Sequence, residues 1–436
     1  MSVKLVVIGT GYVGLVSGAC LAEIGHEVIC VDKDENKIDI LNKGGIPIYE
    51  PGLKEVVDRN VSRKKLSFST NLRDSIKDAE AVLLAVGTPT NAQDNSADLT
   101  YVYAAAAEVA RNLQNDAVII TKSTVPVGTG QKIKKIIEDN CPDFPCYVAS
   151  NPEFLREGSA VNDFMQPDRI IIGSDSDKAK ALMQRIYEPL IGRGHPILFT
   201  NIATAELIKY ASNAYLATKI AFANEMSDVC EKVNADVELV IKGMGMDSRI
   251  GSQYMSPGPG FGGSCFPKDT LALVDIAQKA QAPMSIVEAV ISSNDNRKEK
   301  IADKIIAAFD GDIADKNIAI LGLTFKANTD DMRYSASLNV IPKLLEEGAN
   351  IRAYDPAGMD EAKKLLDGNI DWCDDYYSAV NKADAAVILT EWDEFKNIDL
   401  NDLEAYLKNN LLIDFRNLFK RSAVEDAGLK YICVGS

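Results

Sequence analysis

Short apolar runs alternate with longer polar and amphipathic stretches at both ends of the chain. In the first half, runs rich in β-branched residues occur at 3–8, 27–32, 79–90, 116–130 and 145–154, and they predict buried strands. The pattern restarts after residue 311, with apolar runs at 316–325, 349–356, 385–395 and 411–419. Strands that alternate with helical stretches are typical of parallel α/β sheets.

A different pattern fills the middle of the chain. Residues 204–233 contain neither Gly nor Pro and repeat apolar residues at a period near 3.6, which predicts one long helix. We therefore predict an α/β fold with two Rossmann-like, doubly wound domains joined by a central helical domain with a long connecting helix. The predicted domains are residues 1–200, 201–310 and 311–436.

Composition narrows the classes of protein that fit this pattern. The 436 residues carry a formal net charge of −16, which argues against nucleic-acid binding but leaves room for local basic clusters that hold an anionic small molecule. The eight cysteines form no CxxC pair, so we predict no structural metal site and a reducing, cytoplasmic location. Only His26 and His195 could supply imidazole chemistry, so Cys, Lys, Asp and Glu are the expected catalytic groups.

The uncharged run at residues 5–22 is long enough to suggest a signal peptide or a membrane anchor. Glycines interrupt it, and the spacing of those glycines offers a better explanation. We therefore expect neither export nor association with a membrane.

The stretch GTGYVG places Gly9, Gly11 and Gly14 in the GxGxxG spacing, directly after a predicted strand. In that motif the first glycine makes a tight turn, the second lets a pyrophosphate approach and the third lets helix and strand pack closely. Asp32 ends the next strand, where a carboxylate accepts from a ribose 2′-hydroxyl and repels a 2′-phosphate, so NAD is favoured over NADP. A Rossmann unit used only for packing is the alternative.

Polar side chains follow the later strands of this half, where ligands collect in open α/β sheets. Thr124 follows one strand and would lie near the nicotinamide, although a turn or helix-cap hydroxyl fits its spacing equally well. Asn151 and Pro152 predict a short helix with Glu153 and Glu157 on one face. Spacing alone favours two solvated acids of a first helical turn over a proton-handling pair.

Two amino acids of the long helix stand four positions apart among apolar neighbours. Lys209 and Asn213 would share one side of the helix and could both donate to a developing oxyanion. A snorkelling lysine beside a surface amide explains the same spacing equally well.

The stretch GGSCFPKD, residues 262–269, follows a Gly- and Pro-rich loop and begins a helix. Cys265 would lie at the helix N-terminus beside Lys268, and both features favour the thiolate over the thiol. Asp269 falls one turn later on the same side. A thiolate next to NAD can trap an aldehyde as a thiohemiacetal, which loses hydride to become a thioester and is then hydrolysed to an acid.

The last third repeats the strand and helix pattern without GxGxxG, so it should bind something other than a second NAD in the standard way. Lys326, Arg333 and Arg416 follow predicted strand ends, where phosphates would lie. Ordinary surface charges are the alternative for each of them.

The stretches GTGYVG, STVPVGT, NPEFLREG, KYASNAYLA, DSRIG, FGGSCFPKD and GLTFKANTDDMR together resemble the UDP-glucose 6-dehydrogenase family of nucleotide-sugar dehydrogenases. They stand in family order and cover nearly the whole chain. The resemblance implies a four-electron oxidation of UDP-glucose by two NAD and water to UDP-glucuronate.

The resemblance also assigns roles to single residues. It implies that Cys265 is the nucleophile, that Asp269 and Thr124 position a water, that Lys209 and Asn213 stabilise oxyanions and that Glu153 serves thioester hydrolysis. The implied NAD contacts are Gly9, Gly11, Tyr12, Val13, Gly14, Asp32, Lys37, Thr88, Thr124, Glu157, Lys268 and Arg333. The implied substrate contacts are Glu153, Phe154, Leu155, Glu157, Lys209, Asn213, Arg249, Tyr254, Phe261, Gly262, Lys326 and Arg416.

Quaternary structure follows from the same resemblance, which implies a homodimer through the central helices, with Arg249 reaching the neighbouring subunit's site. Tyr254 stands where Phe is commoner in the family.

Two candidates remain for the base that takes the first alcohol proton: Lys209 and a water on Asp269. Three other functions stay open: a dehydrogenase for another nucleotide sugar, a two-electron hydroxyacid dehydrogenase, and an NAD-binding regulator without catalysis.

Overall fold

The computed structural model describes residues 2–91, 96–141 and 144–435. The chain divides into two compact units, residues 1–212 and 213–436. The division into three domains at 200/201 and 310/311 stays a prediction.

The first unit is built on an eight-stranded sheet in the order β3-β2-β1-β4-β5-β6-β7-β8. Neighbouring strands run parallel except for the antiparallel pair β6 and β7. The strand order reverses between β1 and β4, which is the point where doubly wound sheets bind ligands. The strands are β1 Lys4–Ile8, β2 Glu27–Val31, β3 Leu66–Ser69, β4 Ala81–Leu84, β5 Ala117–Thr121, β6 Cys146–Ser150, β7 Ile170–Gly173 and β8 Ile197–Thr200.

Helices cover both faces of this sheet, because strands that are apolar on both sides must be buried on both sides. Helix α1 contains most of the apolar run at 5–22 and is buried along most of its length between the sheet and its neighbouring helices. The helices are α1 Tyr12–Glu23, α2 Glu35–Asn42, α3 Leu53–Ser62, α4 Leu72–Ile76, α5 Thr100–Asn112, α6 Thr129–Asn140, α7 Ala160–Met165 and α8 Asp177–Ile191. The long helix α9, Ile202–Val233, begins in this unit and ends in the second.

The second unit holds the rest of α9, further helices and a six-stranded parallel sheet in the order β11-β10-β9-β12-β13-β14. Its order reverses between β9 and β12. The strands are β9 Asn317–Leu321, β10 Asn350–Tyr354, β11 Ile370–Trp372, β12 Ala385–Ile388, β13 Leu411–Asp414 and β14 Lys430–Cys433. The helices are α10 Val237–Gly245, α11 Phe266–Lys279, α12 Ser285–Ala307, α13 Ser337–Glu346, α14 Met359–Leu365, α15 Tyr376–Val380, α16 Asp393–Lys396, α17 Leu400–Tyr406 and α18 Arg421–Asp426.

The predicted fold class is confirmed, with two Rossmann-like sheets and a helical region between them along the chain. The long helix predicted at 204–233 is observed at Ile202–Val233. None of the helices in the part of the chain that the structure describes is long and apolar enough to cross a membrane.

The short helix predicted directly after Asn151 is wrong. Residues 151–156 are irregular, and the next helix begins at Ala160. Asn151 does not cap a helix because its buried amide accepts from Tyr187 and donates to Ile171 O. Glu153 therefore lies in an irregular segment and does not share a helix face with Glu157.

A buried carboxylate links the start of α9 to α6. Glu206 accepts from the N–H groups of Gly128 and Gly130, each at 2.7 Å, and so satisfies donors at the N-terminus of α6. Burial raises the pKa of Glu206 to about 7, although both hydrogen bonds oppose that shift. The folded protein therefore favours the protonated carboxyl of Glu206 below about pH 7.

This raised pKa predicts a pH-dependent loss of stability. Stability from Glu206 is fully present below the carboxyl's unfolded pKa of about 4.5 and is lost as pH rises through about 7, a change of order 3 kcal/mol. Urea unfolding from pH 4.5 to 8 should show the parent losing that stability relative to Glu206→Gln, which does not titrate. Replacing the exposed carboxyl in Glu188→Gln should leave the pH dependence as it is in the parent. A constant difference between parent and Glu206→Gln would contradict the prediction.

Candidate active site

The turn between β1 and α1 has the geometry of a dinucleotide cradle. Gly9 has a φ of +101°, and a Cβ atom there would lie 2.6 Å from Ala85 O. A Cβ on Gly14 would lie 2.0 Å from Gly9 O, so this helix can approach the strand only with glycine. A Cβ on Gly11 would meet nothing within 4 Å, which leaves open space where the motif admits a pyrophosphate.

Asp32 stands just after β2, where a ribose would lie. One oxygen of its carboxylate accepts from the N–H and hydroxyl of Thr10 at 2.7 and 2.8 Å, and the other accepts from Asp34 N–H at 3.0 Å. Burial opposes ionisation, but these hydrogen bonds outweigh it and lower the pKa of Asp32. The residues of this cradle therefore fit NAD, with a charged acceptor held at the strand end.

Further predicted NAD contacts lie around this cradle. Tyr12 begins α1, and its hydroxyl donates to the buried carboxylate of Glu50. Glu50 in turn accepts from the N–H groups of Gly158 and Ala160, which fixes the chain at the start of α7. The other predicted NAD contacts of the first unit are half-buried, on helices α1 and α2 or in irregular segments after strands: Val13, Lys37, Thr88, Thr124 and Glu157. The remaining two, Lys268 and Arg333, belong to the second unit.

Glu153 and Lys209 form a buried ion pair. Their side chains are 4% and 3% exposed, and Lys209 Nζ lies 2.8 Å from Glu153 Oε1. The other carboxylate oxygen accepts from Leu155 N–H at 2.6 Å. Burial disfavours the charged form, but the charge and hydrogen bond of Lys209 and the N–H of Leu155 overcome it, so the pKa of Glu153 is lowered. Burial excludes both a snorkelling lysine and a solvated Glu153.

A second buried lysine, which the sequence analysis missed, stands at the end of β5. Lys122 is 5% exposed, and its Nζ lies 3.1 Å from Asn151 Oδ1 and 3.4 Å from the Tyr187 hydroxyl. Burial lowers its pKa to about 8, and the charge of Glu153 limits that fall. Its place one residue after a buried strand and two before Thr124 was the available signal.

The predicted aromatic contact of this half lies beside the ion pair. The ring centroid of Phe154 is 5.4 Å from Lys209 Nζ and 3.7 Å from the guanidinium carbon of Arg169. Phe154 and Leu155 are half-buried, so part of each side chain stays accessible.

In the second unit, Cys265 is the N-cap residue of α11, as the sequence predicted. Its sulfur lies 3.5 Å from the Ser264 hydroxyl, and its side chain is partly exposed. By contrast, burial raises the pKa of both Cys20 and Cys30 to about 12 and holds them as thiols. Cys265 thus stands where free N–H groups and the helix dipole favour a thiolate.

Asp269 lies one turn further along α11 and is 1% exposed. Its N–H donates to Cys265 O at 2.8 Å. Its two carboxylate oxygens accept from Asn213 Nδ2 and from Lys268 Nζ, each at 2.6 Å. The structure thus brings Asp269, Asn213 and Lys268 together beside the helix end that carries the cysteine.

The loop before Cys265 is held from α12 by two residues that the sequence analysis missed. Asn294 accepts from Phe261 N–H at 2.7 Å and donates to Phe261 O at 3.1 Å, while Arg297 donates to Gly258 O at 2.9 Å. Gly262 is packed so closely that a Cβ would lie 2.5 Å from Tyr334 O. Phe261 and Tyr254 both contact the ring of Phe266 edge-on.

The basic residues predicted to contact ligands in the second unit differ in their surroundings. Arg416 follows β13, and its guanidinium donates to Leu389 O at 2.8 Å and Phe325 O at 2.9 Å, in the segments after β12 and β9. Lys326 is half-buried in the segment after β9, with Nζ 5.4 Å from the ring centroid of Phe325. Arg333 and Arg249 are exposed and pair with Asp331 and Asp247.

The turn after the first strand of the second sheet resembles the turn after β1, but the aspartate that follows the next strand has a different environment. Gly322 has a φ of +92° and follows β9 as Gly9 follows β1. Asp355 corresponds to Asp32, yet it is 1% exposed. Its oxygens accept from the N–H groups of Leu323, Thr324, Ala357 and Gly358 and from the indole of Trp392. These donors occupy both oxygens of the Asp355 carboxylate, so Asp355 cannot accept a hydrogen bond from a ribose hydroxyl as Asp32 can.

Comparisons with known proteins agree with these features. Three models of the UDP-glucose/GDP-mannose dehydrogenase family match the chain: the NAD binding domain at residues 3–191, the central domain at 203–296 and the UDP binding domain at 319–421. The chain is 51% identical over 434 residues to the UDP-glucose 6-dehydrogenase of Rhizobium meliloti (strain 1021), covering 99% of each.

Two solved structures resemble the whole chain. A UDP-glucose dehydrogenase from the hyperthermophilic archaeon Pyrobaculum islandicum has a TM-score of 0.90 at 35% identity, with 99% of this chain and 97% of that chain covered. A UDP-D-ManNAc dehydrogenase from Pyrococcus horikoshii has a TM-score of 0.85 at 27% identity, with 99% of both covered.

Replacing Gly14 and Gly11 with alanine should separate the effect of close packing on stability from the effect of the turn on NAD binding. Gly14→Ala places a methyl group against backbone and should destabilise the fold by about 1–3 kcal/mol, as overpacking does. Gly11→Ala adds a methyl group in open space and should keep the parental melting temperature while weakening NAD binding by about tenfold or more. Thermal unfolding and calorimetric titration with NAD measure the two effects. Parental NAD affinity in Gly11→Ala would show that the pyrophosphate does not approach this turn.

Proposed function

Because the chain belongs to the UDP-glucose/GDP-mannose dehydrogenase family, we propose that it oxidises the C6 alcohol of UDP-glucose to the carboxylate of UDP-glucuronate. NAD is its cofactor, in keeping with the family's first domain and with the cradle around Gly11 and Asp32. The observation that carries the proposal is the partly exposed thiol of Cys265 at the N-terminus of α11, with Asp269 one turn away.

The substrate follows from the relatives and from the last domain. The relative that is 51% identical is named a UDP-glucose 6-dehydrogenase, and the family's last domain is described as UDP binding. The solved UDP-D-ManNAc dehydrogenase is 27% identical, against 35% for the solved UDP-glucose dehydrogenase. UDP-glucose is therefore favoured over another nucleotide sugar. Arg416 and Lys326, near the carboxyl ends of β13 and β9, are proposed contacts for the sugar nucleotide.

The proposed chemistry uses the sulfur of Cys265 after the first oxidation. Bound NAD supplies the hydride acceptor for both oxidations, so one substrate molecule consumes two. The thiolate sulfur bonds to the aldehyde carbon and forms a thiohemiacetal, which becomes a thioester when its carbon loses hydride. Water then attacks the thioester and the carbon–sulfur bond breaks, releasing the acid and the thiolate. The balance is one alcohol, two NAD⁺ and one water to one carboxylate, two NADH and three protons.

Neighbouring residues have proposed roles in these steps. Lys209 and Asn213, which stand one helical turn apart on α9, stabilise the alkoxide and the oxyanions by donating hydrogen bonds. Glu153 is ionised in its ion pair and serves hydrolysis of the thioester. Asp269 and Thr124 position water. The first alcohol proton goes either to the water held by Asp269 or to Lys209, which can accept it only as the neutral amine and not as the ammonium of the ion pair. Phe154, Leu155, Tyr254, Phe261 and Gly262 line the substrate.

A two-electron hydroxyacid dehydrogenase would use the NAD cradle and the lysine of α9, but it would need neither a thiol at a helix N-terminus nor a UDP binding domain. A regulator without catalysis would need no buried Lys209–Glu153 pair. The four-electron reaction therefore uses more of the observed features than either alternative.

We also propose a homodimer through the central helices. Within the second unit, α9 exposes apolar side chains at a seven-residue spacing: Tyr215 at 63%, Phe222 at 46% and Val229 at 51%, with Val233 at 62% one turn further. A repeated apolar stripe of this kind is typical of a helix that packs against a partner. Arg249, exposed in the loop after α10, is the proposed contact with the neighbouring subunit's site. A cytoplasmic location belongs to the same proposal.

The thioester route predicts how many NADH molecules form per substrate molecule and predicts a loss of turnover when Cys265 is replaced. Limiting UDP-glucose should yield two NADH per molecule, read by absorbance. Cys265→Ser should lower turnover by about a thousandfold or more, since the nucleophile is lost. Glu153→Gln should accumulate an acyl adduct on Cys265, visible by mass spectrometry of the intact protein and its peptides.

Cys433 provides a matched control, because it is the other partly exposed cysteine among the described residues. Cys433→Ser should keep the parental rate and stoichiometry. One NADH per substrate, or parental turnover in Cys265→Ser, would overturn the proposed route.

A charged substitution in the exposed apolar stripe of α9 tests the proposed dimer. Phe222→Glu places a carboxylate in the middle of the stripe and should convert the dimer to monomer, measured by light scattering after gel filtration or by sedimentation. Tyr101→Glu replaces an aromatic residue that is 59% exposed on α5 and should leave the parental mass. A parental mass for Phe222→Glu would remove α9 from the interface.

A further inference from the structure

We propose that Asn294 and Lys298 are positioning residues, which hold the loop before Cys265 so that the sulfur captures the aldehyde before the aldehyde leaves the site. The loop comprises residues 258–264. This role presupposes the thioester route proposed above. It gives a function to two buried polar side chains of α12 that the reaction steps do not otherwise use.

Both side chains contact the loop from one helix. Asn294 and Lys298 stand four positions apart on α12, so they lie on the same face of that helix, and each is 4% exposed. A Cβ atom on Gly260 would lie 3.0 Å from Asn294 Oδ1 and 3.4 Å from Lys298 Cγ. The loop therefore passes directly over both side chains.

Asn294 holds the backbone of the loop at Phe261, four residues before Cys265. Its Oδ1 accepts from Phe261 N–H at 2.7 Å, and its Nδ2 donates to Phe261 O at 3.1 Å. Phe261 is buried, so removing the amide leaves both backbone groups without these partners in a place with little access to water. The two bonds of one planar amide set both the position and the orientation of this part of the loop.

Lys298 holds the opposite side of the loop through the segment that it packs against. Lys298 Nζ donates to Tyr334 O at 2.8 Å. That oxygen lies against the loop, because a Cβ atom on Gly262 would be 2.5 Å from it. The next residue of the loop, Gly263, donates its N–H to Arg333 O at 2.7 Å. The loop is thus held between α12 and residues 333–334.

Capture of the aldehyde is the step that depends most on this position. In the proposed route the first oxidation precedes any bond to sulfur, so it yields an aldehyde that is bound but not covalently held. The sulfur of Cys265 then bonds to the aldehyde carbon while the carbonyl oxygen takes a proton. Capture competes with dissociation of the aldehyde, and a displacement of about 1 Å slows a reaction between two held groups by up to about a hundredfold.

The experiment measures the fraction of aldehyde that escapes. The enzyme converts limiting UDP-glucose with excess NAD in the presence of O-benzylhydroxylamine, which condenses with free aldehyde to an oxime and releases water. Mass spectrometry compares the oxime with UDP-glucuronate and distinguishes it from the hydroxamate that the reagent forms from a thioester. Asn294→Ala and Lys298→Met should each raise the escaped fraction by about tenfold or more, with fewer than two NADH formed per substrate.

Three further variants serve as controls. Lys298→Arg keeps a donor for Tyr334 O and should bring the escaped fraction back towards the parental value. Asn296→Ala removes an exposed asparagine of the same helix, and Lys396→Met removes an exposed lysine of the same unit. Both should behave as the parent.

A purely structural role would lower the melting temperature and the amount of active enzyme without moving the escaped fraction, which is counted per substrate consumed. A parental fraction in both Asn294→Ala and Lys298→Met, or a fraction in Lys298→Arg as high as in Lys298→Met, overturns the proposal. Cys265→Ser in the same series separates this result from the proposed function. If Cys265→Ser forms two NADH per substrate and no oxime, the thioester route itself is wrong. Oxime from Cys265→Ser but not from the α12 variants contradicts the positioning role alone.

Discussion

A buried carboxylate must find hydrogen-bond donors or a positive charge, and this requirement shapes every site described above. Glu153 takes Lys209 and a backbone N–H, Asp269 takes Asn213 and Lys268, and Glu206 takes two N–H groups at a helix end. Each acid fixes the segment that supplies its donors. These hydrogen bonds tie irregular chain at the ends of strands and helices to neighbouring elements.

The two sheets show how one turn can serve two purposes. In both, a glycine with positive φ follows the first strand and an aspartate follows the second. Asp32 accepts from Thr10 and Asp34 and is half-buried, so a ribose can still reach it. Asp355 is buried and accepts from four backbone N–H groups, which converts the same position into a structural tie. Loss of the binding role thus requires no change of topology.

The central strands of both sheets, the long helix, the cradle and the helix that begins after Cys265 were predictable because each has a local signal. The short outer strands β3, β7, β8, β11 and β14 were not predicted. Periodicity, glycine spacing and the Gly/Pro loop are all read within a few residues. The helix after Asn151 was predicted wrongly because a capping residue and proline looked sufficient. That amide is recruited instead by Tyr187 and Ile171, which are distant in sequence. Lys122 and Asn294 were missed for the same reason, since their partners lie far along the chain.

The donors that reach the carboxylate differ between the two buried clusters. Around Glu153 the ammonium of Lys209 and the N–H of Leu155 reach the carboxylate, and the guanidinium of Arg169 lies across the ring of the neighbouring Phe154. Around Asp269 one lysine and one amide face the carboxylate, and both come from helices, Lys268 from α11 and Asn213 from α9. In each cluster the donors that reach the buried acid decide which segments of the chain it holds together: an irregular segment after β6 and helix α9 at Glu153, and helices α9 and α11 at Asp269.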